Sequence, residues 1–310
     1  MPTLLFSSQV DDPAAWTRAL KRNMPELEIR VWPEVGDVRD IDVALVWRYP
    51  PGDLRRYPNL KLIYSLGAGV DHLLDDPDLP TGVPIARIVD PALTDGMSEY
   101  VLLAVLRYHR RLPEYERLQR ERQWKKLPQP SAVERRIGIL GMGELGRDVG
   151  IKLAALGFRV AGWSRRPKKI MGIESFAGED ALPAFLARTD ILVCLLPLTP
   201  ETRGIINAHT LAQLSRGAYV INAARGGHVV DADLIAALDS GHIAGATLDV
   251  FTPEPLPPTH PYWTHPKVTV TPHIASLTNP ETASVQIAAN IRRLFAGRPL
   301  RHLVDRMAGY

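Results

Sequence analysis

The chain has 310 residues, 45% hydrophobic and 23% charged, with a formal net charge of +3. This balance excludes disordered, collagen-like and coiled-coil architectures and makes two compact cores the default. The longest apolar run, Ile191 to Leu198, falls short of the roughly eighteen residues of a membrane helix, and the mild, dispersed basicity argues against a nucleic-acid partner.

In chain order, the β-rich runs LLFSS, EIRVW, VALVW, KLIYS and IARIV alternate with helical or loop segments over residues 3–88, the rhythm of a small parallel sheet. The start of the chain carries no basic flank followed by a long apolar core, so export is not expected and a cytoplasmic location is. Next comes SEYVLLAVLRYHRRLPEYERLQRERQW. Its apolar residues are spaced for one helix face up to Leu112, and Pro113 is expected to kink or restart the helix.

A second series follows: RRIGIL, FRVAGW, ILVCLLP, GAYVINA, GATLDV and VTVTP, each separated by enough residues for a crossover helix. Such continuous apolar strands belong in a sheet covered on both faces. The lone Cys194 in this series reads as a small core residue and fits a reducing compartment. Residues 280–295 read as an amphipathic helix, and the sequence permits its return to the first domain. The expectation is an α/β chain of two doubly wound parallel-sheet domains. A discontinuous, flavodoxin-like substrate domain takes residues 1–95 and 280–310, and a Rossmann cofactor domain takes residues 96–279.

The stretch IGILGMGELG gives the first functional assignment. Gly141, Gly143 and Gly146 follow a strand and open a helix, with Met142, Glu144 and Leu145 between and beside them. The spacing suits a tight turn at the first glycine, bare backbone against a pyrophosphate at the second, and close helix–strand packing at the third. The phosphates would meet the positive end of the helix. A merely structural turn has the same spacing, and the full strand, loop and helix context favours a dinucleotide.

About twenty residues on, a carboxylate would accept hydrogen bonds from the ribose hydroxyls of NAD. The chain has Ser164, Arg165 and Arg166 there instead, followed by Lys168 and Lys169. A guanidinium offers a planar fork to a phosphate, with Ser164 suited to donate beside it, so NADPH is expected as the preferred cofactor and NADH as a possible one. The competing reading is a solvated basic strand end, and the missing carboxylate weighs against it.

Three later stretches, INAARGGHVVD, LDVFTPEPLP and VTVTPHIAS, stand at or beyond carboxyl ends of strands, where ligands lie in open α/β sheets. Arg225 is suited to clamp a carboxylate and polarise the adjacent carbonyl, with Gly226 and Gly227 letting the backbone turn. His273 is suited to protonate the carbonyl oxygen. Glu254 is suited to hold its second ring nitrogen and so favour the charged, proton-donating form. Each residue taken alone is weak; their conjunction behind a nucleotide fold is not. His260 and His265, in a proline-rich loop, lack a convincing third ligand, so no metal is expected.

The segments GMGELG, LPLTPETRGIIN, INAARGGHVVD, LDVFTPEPLP and TPHIAS closely resemble the D-isomer-specific 2-hydroxyacid dehydrogenase family, with matches from about Lys61 to the C-terminus. The resemblance implies Arg225 as the substrate-binding and polarising residue, Glu254 and His273 as the acid–base pair, and reduction of glyoxylate or hydroxypyruvate with NADPH. It places Leu196, Pro197 and Ala223 at the cofactor and Asp249 on the nicotinamide amide. It also implies a substrate carboxylate held by backbone N–H groups around Ala68 and Gly69, although a glycine turn capped by Asp71 makes the same demand on the backbone. Trp47 and Arg48 become pocket walls. A homodimer through the helical arm after Ser98 and an active site between the domains are implied as well. Many family members carry an acidic residue where this chain has Arg165. Two other readings stay open: a larger 2-oxo acid as substrate, and a nucleotide-sensing, corepressor-like binding protein.

Overall fold

A computed structural model describes all 310 residues. The chain divides into two compact units, Met1–Leu93 with Leu277–Tyr310, and Thr94–Ser276, a few residues from the expected boundaries at 95/96 and 279/280. No helix is long and apolar enough to cross a membrane.

In the first unit β1 (Thr3–Ser8), β2 (Glu28–Val31), β3 (Val43–Trp47), β4 (Leu62–Ser65) and β5 (Ile85–Ala86) form one parallel sheet, ordered β2-β1-β3-β4-β5. Side chains alternate across a strand, and both faces are covered. Leu4, Phe6, Val43 and Leu45 pack into one core, while Leu5, Ala44 and Val46 pack into another. This is why these strands read as unbroken apolar runs.

The first core is closed by α1 (Pro13–Asn23) and by the last helix, Pro280–Phe295. Asp12 caps α1 by accepting from the N–H groups of Ala14 and Ala15, and Asn279 caps the last helix by accepting from Glu281. The last helix buries Ala283, Ile287, Ala288 and Ile291 among Trp16, Leu20 and the strands, each isoleucine contributing roughly 1.5–3 kcal/mol by leaving water. The C-terminal segment therefore belongs to the first unit. A short helix, α2 (Asp71–Leu74), follows the Gly67–Gly69 turn after β4.

The helix α3 (Pro91–His109) starts in the first unit and continues into the second, where Met97, Val101, Val105 and Tyr108 are buried. It stops before Arg111, whose backbone is left-handed (φ 58°), and α4 (Leu112–Arg120) restarts with Pro113 in its first turn. The second sheet consists of β6 (Arg136–Leu140), β7 (Arg159–Ser164), β8 (Ile173–Ala177), β9 (Ile191–Cys194), β10 (Ala218–Asn222), β11 (Ile243–Leu248) and β12 (Val268–Val270). All pairs are parallel, in the order β12-β11-β10-β9-β6-β7-β8. The strand order reverses between β6 and β9, the point at which doubly wound sheets open a ligand crevice beyond their carboxyl ends.

Two features depart from the sequence reading. The edge strand β8, IESFA, was not anticipated: Glu174 and Ser175 are exposed, so it offers no apolar run. The crossovers from β7 to β8 and from β11 to β12 also carry no α-helix, the second having only the short 3₁₀ turn Pro261–Trp263.

Candidate active site

The glycine loop lies at the strand-order reversal, between β6 and α5 (Glu144–Ala155), and its three glycines differ in what they require. Gly141 has φ 99°, and a Cβ there would lie 2.6 Å from the Leu195 carbonyl oxygen, so the turn admits only glycine. Gly143 faces open space, with nothing within 4 Å of a Cβ position. At Gly146 a Cβ would fall inside the Gly141 carbonyl oxygen, which lets α5 pack down on its strand. No side chain caps α5, so its first N–H groups remain for a ligand. Met142 is buried beneath the loop against Gly162, while Leu196, Pro197 and Ala223 follow the neighbouring strands β9 and β10.

At the end of β7, Arg165 and Arg166 are exposed, as are Lys168 and Lys169. Ser164 is buried, and its hydroxyl donates to the Arg166 carbonyl at 2.8 Å. This bond shapes the turn that presents the two arginines.

Arg225, Glu254 and His273 follow β10, β11 and β12, which are adjacent in the sheet, so one sheet edge carries all three. The His273 Nδ1 lies 2.8 Å from Glu254 Oε2, with side-chain exposures of 30% and 15%. The other oxygen, Oε1, accepts from the Phe251 N–H at 2.9 Å, which fixes the carboxylate. His273 has a left-handed backbone, φ 57°, costing roughly 1–3 kcal/mol unless its surroundings hold it. Its N–H donates to the Asp249 carbonyl at 2.8 Å.

Asp249 is fully buried, and its carboxylate accepts from the Thr271 hydroxyl at 2.6 Å and from the N–H groups of Ile274 and Ala275, each at 2.8 Å. Burial holds this carboxyl above the usual carboxylate range, against the pull of those three donors and of His273. The structure thus gives Asp249 a task within the protein, bracing the loop that carries His273. Tyr100 adds a contact to Thr271 at 2.7 Å.

The Arg225 segment is equally constrained. Asn222 donates to the Arg225 carbonyl at 2.9 Å and accepts from the Ala224 N–H at 3.2 Å, and Arg225 Nη1 donates to the Ala224 carbonyl at 2.6 Å. Neither Gly226 nor Gly227 has a positive φ, so the sharp turn expected of them is not what they supply. They supply room. A Cβ on Gly226 would enter the Phe251 backbone, so glycine lets the Arg225 segment lie directly on the segment that fixes Glu254. Contacts thus run from Gly226 through Phe251 to Glu254 and His273.

In the first unit, Trp47 ends β3 beside Arg48, whose backbone is left-handed at φ 47°. The Trp47 ring lies over Gly67, where a Cβ would come within 2.8 Å of it, and packs against His72 with ring centroids 4.4 Å apart. The half-buried Ala68 and Gly69 complete the turn, in which the Ser65 hydroxyl donates to the Gly69 carbonyl at 2.8 Å.

Asn222, Thr271, Phe251 and His228 did not stand out in the sequence, although each holds a backbone segment of this site. An asparagine closing an apolar strand was the one available signal; the rest depend on partners brought together only by folding.

The family model described as D-isomer specific 2-hydroxyacid dehydrogenase, NAD binding domain, matches residues 102–275. The chain is 46% identical to a glyoxylate/hydroxypyruvate reductase A of Yersinia enterocolitica, over 99% of each chain. Among solved structures it is similar to a D-isomer specific 2-hydroxyacid dehydrogenase of Xanthobacter autotrophicus Py2 in complex with NADPH and MES, with TM-score 0.96, 49% identity and coverage of 100% of this chain and 99% of that one. It is similar also to an NADPH-dependent glyoxylate/hydroxypyruvate reductase of Sinorhizobium meliloti in complex with NADP and sulfate, with TM-score 0.94, 43% identity and 100% coverage of both. With the model spanning most of the second unit and relatives aligned end to end, the chain belongs to the D-isomer-specific 2-hydroxyacid dehydrogenase family.

Proposed function

We propose that the protein reduces a small 2-oxo acid, glyoxylate to glycolate or hydroxypyruvate to glycerate, with NADPH as the preferred reductant and NADH as a slower one. The observation that carries this reading is the Glu254–His273 pair, 2.8 Å apart, on the sheet edge that also bears Arg225. The reductases of Yersinia enterocolitica and Sinorhizobium meliloti, named for these two substrates, support it.

The residues present fit a dinucleotide. The open face at Gly143 and the uncapped start of α5 suit a pyrophosphate, and the exposed Arg165 and Arg166 suit the additional phosphate of NADPH. Met142, Glu144, Leu145, Leu196, Pro197 and Ala223 would line the remainder, with Asp249 toward the nicotinamide amide. When bound, the cofactor supplies the hydride that arrives at the carbonyl carbon.

The protein's own groups do the rest. Arg225 binds the substrate oxygens and stabilises the negative charge that grows on the carbonyl oxygen. Glu254 holds the Nδ1 proton of His273, leaving Nε2 as the ring atom that gives its proton to that oxygen. Hydride and proton together convert the carbonyl to an alcohol. The backbone N–H groups of Ala68 and Gly69 take the substrate carboxylate, and Trp47 limits the length of its side chain. The protein is proposed to act in the cytoplasm as a homodimer joined through α3 and α4.

The deciding experiment follows NADPH and NADH oxidation with glyoxylate, hydroxypyruvate and larger 2-oxo acids such as phenylpyruvate. The proposal requires the two small acids with NADPH to give the highest kcat/KM. A preference for phenylpyruvate would move the assignment to a larger substrate. Cofactor binding without turnover of any acid would favour a nucleotide-sensing role.

A further inference from the structure

His228 is fully buried, three residues beyond Arg225, and takes no part in the chemistry proposed above. Its ring is bounded by two main-chain carbonyls: Nδ1 lies 3.1 Å from the Arg225 oxygen and Nε2 lies 3.2 Å from the Pro197 oxygen. A carbonyl oxygen only accepts, so each of these contacts is a hydrogen bond only if the ring nitrogen carries a proton. A neutral imidazole has one N–H and would turn a lone pair toward the other carbonyl. Only the imidazolium satisfies both.

We propose that His228 is a positioning residue that works as a buried imidazolium, its two N–H groups fastening the segment of Arg225 to the cofactor-side segment of Pro197. The inference rests on the role assigned to Arg225 above. The two carbonyls lie beyond different strands, Pro197 after β9 and Arg225 after β10, so the ring ties together backbones that the sheet ladder no longer holds. The main chain is consistent with this: Ile206 donates to the His228 carbonyl at 2.9 Å, and Gly204 donates to the Gly227 carbonyl at 2.8 Å.

Burial alone would drive the proton off, as it does for most interior histidines. Here Cys194 at the end of β9 and the two carbonyls outweigh burial and hold His228 above the ordinary histidine range. The charged groups on the adjoining segments are Arg225 itself and Arg203, whose guanidinium reaches Gly227. For a group whose pKa is raised by folding, the contribution to stability is complete below about 6.5 and is lost as pH rises through the folded value.

The test reads protonation directly and activity separately. Long-range ¹H–¹⁵N NMR of the labelled wild-type protein, with the His228 ring assigned through its own backbone, is expected to show both ring nitrogens protonated at pH 7.5. A neutral tautomer there would overturn the proposal whatever the kinetics. The variant His228→Gln keeps a donor for one carbonyl only. It is expected to lower kcat/KM for glyoxylate roughly 10-fold through the displaced Arg225, while NADPH affinity changes less than about threefold. Unchanged kcat/KM in a folded H228Q would equally overturn it. Should H228Q fail to fold, the NMR result decides alone. Activity surviving in Arg225→Ala would remove the role of Arg225 and leave the protonation result standing, so the two failures are distinguishable.

Discussion

In the proposed reaction Arg225 and His273 do different things at the same atom, and each effect has a known scale. A guanidinium beside a growing oxyanion and a proton donor in reach of it each contribute on the order of 10²-fold to rate. Arg225→Ala and His273→Ala are therefore each expected to lower turnover by about 100-fold or more in steady-state NADPH oxidation. Near-native rates in either variant would remove the assigned role. The side chains of Arg165 and Arg166 are exposed and lie on a turn braced by Ser164, so replacing both should leave the fold intact. The double alanine variant is expected to raise KM for NADPH by roughly 10-fold or more and to leave KM for NADH nearly unchanged, because only the former carries the additional phosphate for them to hold. Equal effects on both cofactors would mean that these arginines do not touch the additional phosphate of NADPH.

Among the elements, the loops after β10, β11 and β12 carry the proposed catalytic residues, and their mutual fit depends on glycine. The motif RGG was legible in the sequence, but its reason was not. A flexible turn and a close approach demand the same residue, and only the position of the Phe251 backbone shows that Gly226 serves the second. Gly226→Ala should accordingly destabilise the protein by more than about 2 kcal/mol in urea denaturation and lower kcat/KM at least about tenfold, because the Arg225 segment must lift off the one that fixes Glu254. A variant with wild-type stability and activity would show that the contact yields without consequence. The hidden strand β8 has a related explanation. An edge strand with one exposed side needs little hydrophobicity, so its letters carry no signal until β7 is in place to pair with it.

For the molecule as a whole, the second unit's helical arm leaves apolar side chains in water: Leu103 and Leu106 on α3, Leu112 at the start of α4, and Trp124, which is fully exposed. Isolated exposed leucines are ordinary, whereas several on one arm are what a partner surface looks like. Sedimentation is expected to show a dimer, and Leu103→Glu combined with Trp124→Glu should shift it toward monomer by placing charge in a buried interface. A wild-type protein that sediments as a monomer at micromolar concentration would exclude the proposed assembly.

The sequence by itself determined the candidate residues proposed to meet a nucleotide and a substrate, because their motifs are local. A glycine loop between strand and helix, a missing carboxylate after the next strand, and an arginine, a glutamate and a histidine after successive apolar runs can be read within a dozen residues each. Tertiary structure decided which strands lie side by side, and with that everything depending on partners distant in sequence. It set Glu254 against His273 and gave the Asp249 carboxylate to the His273 loop. It also closed two carbonyls from the loops after separate strands around His228. A hydrogen bond between residues thirty positions apart has no sequence signature, because its geometry exists only once the sheet has fixed both backbones.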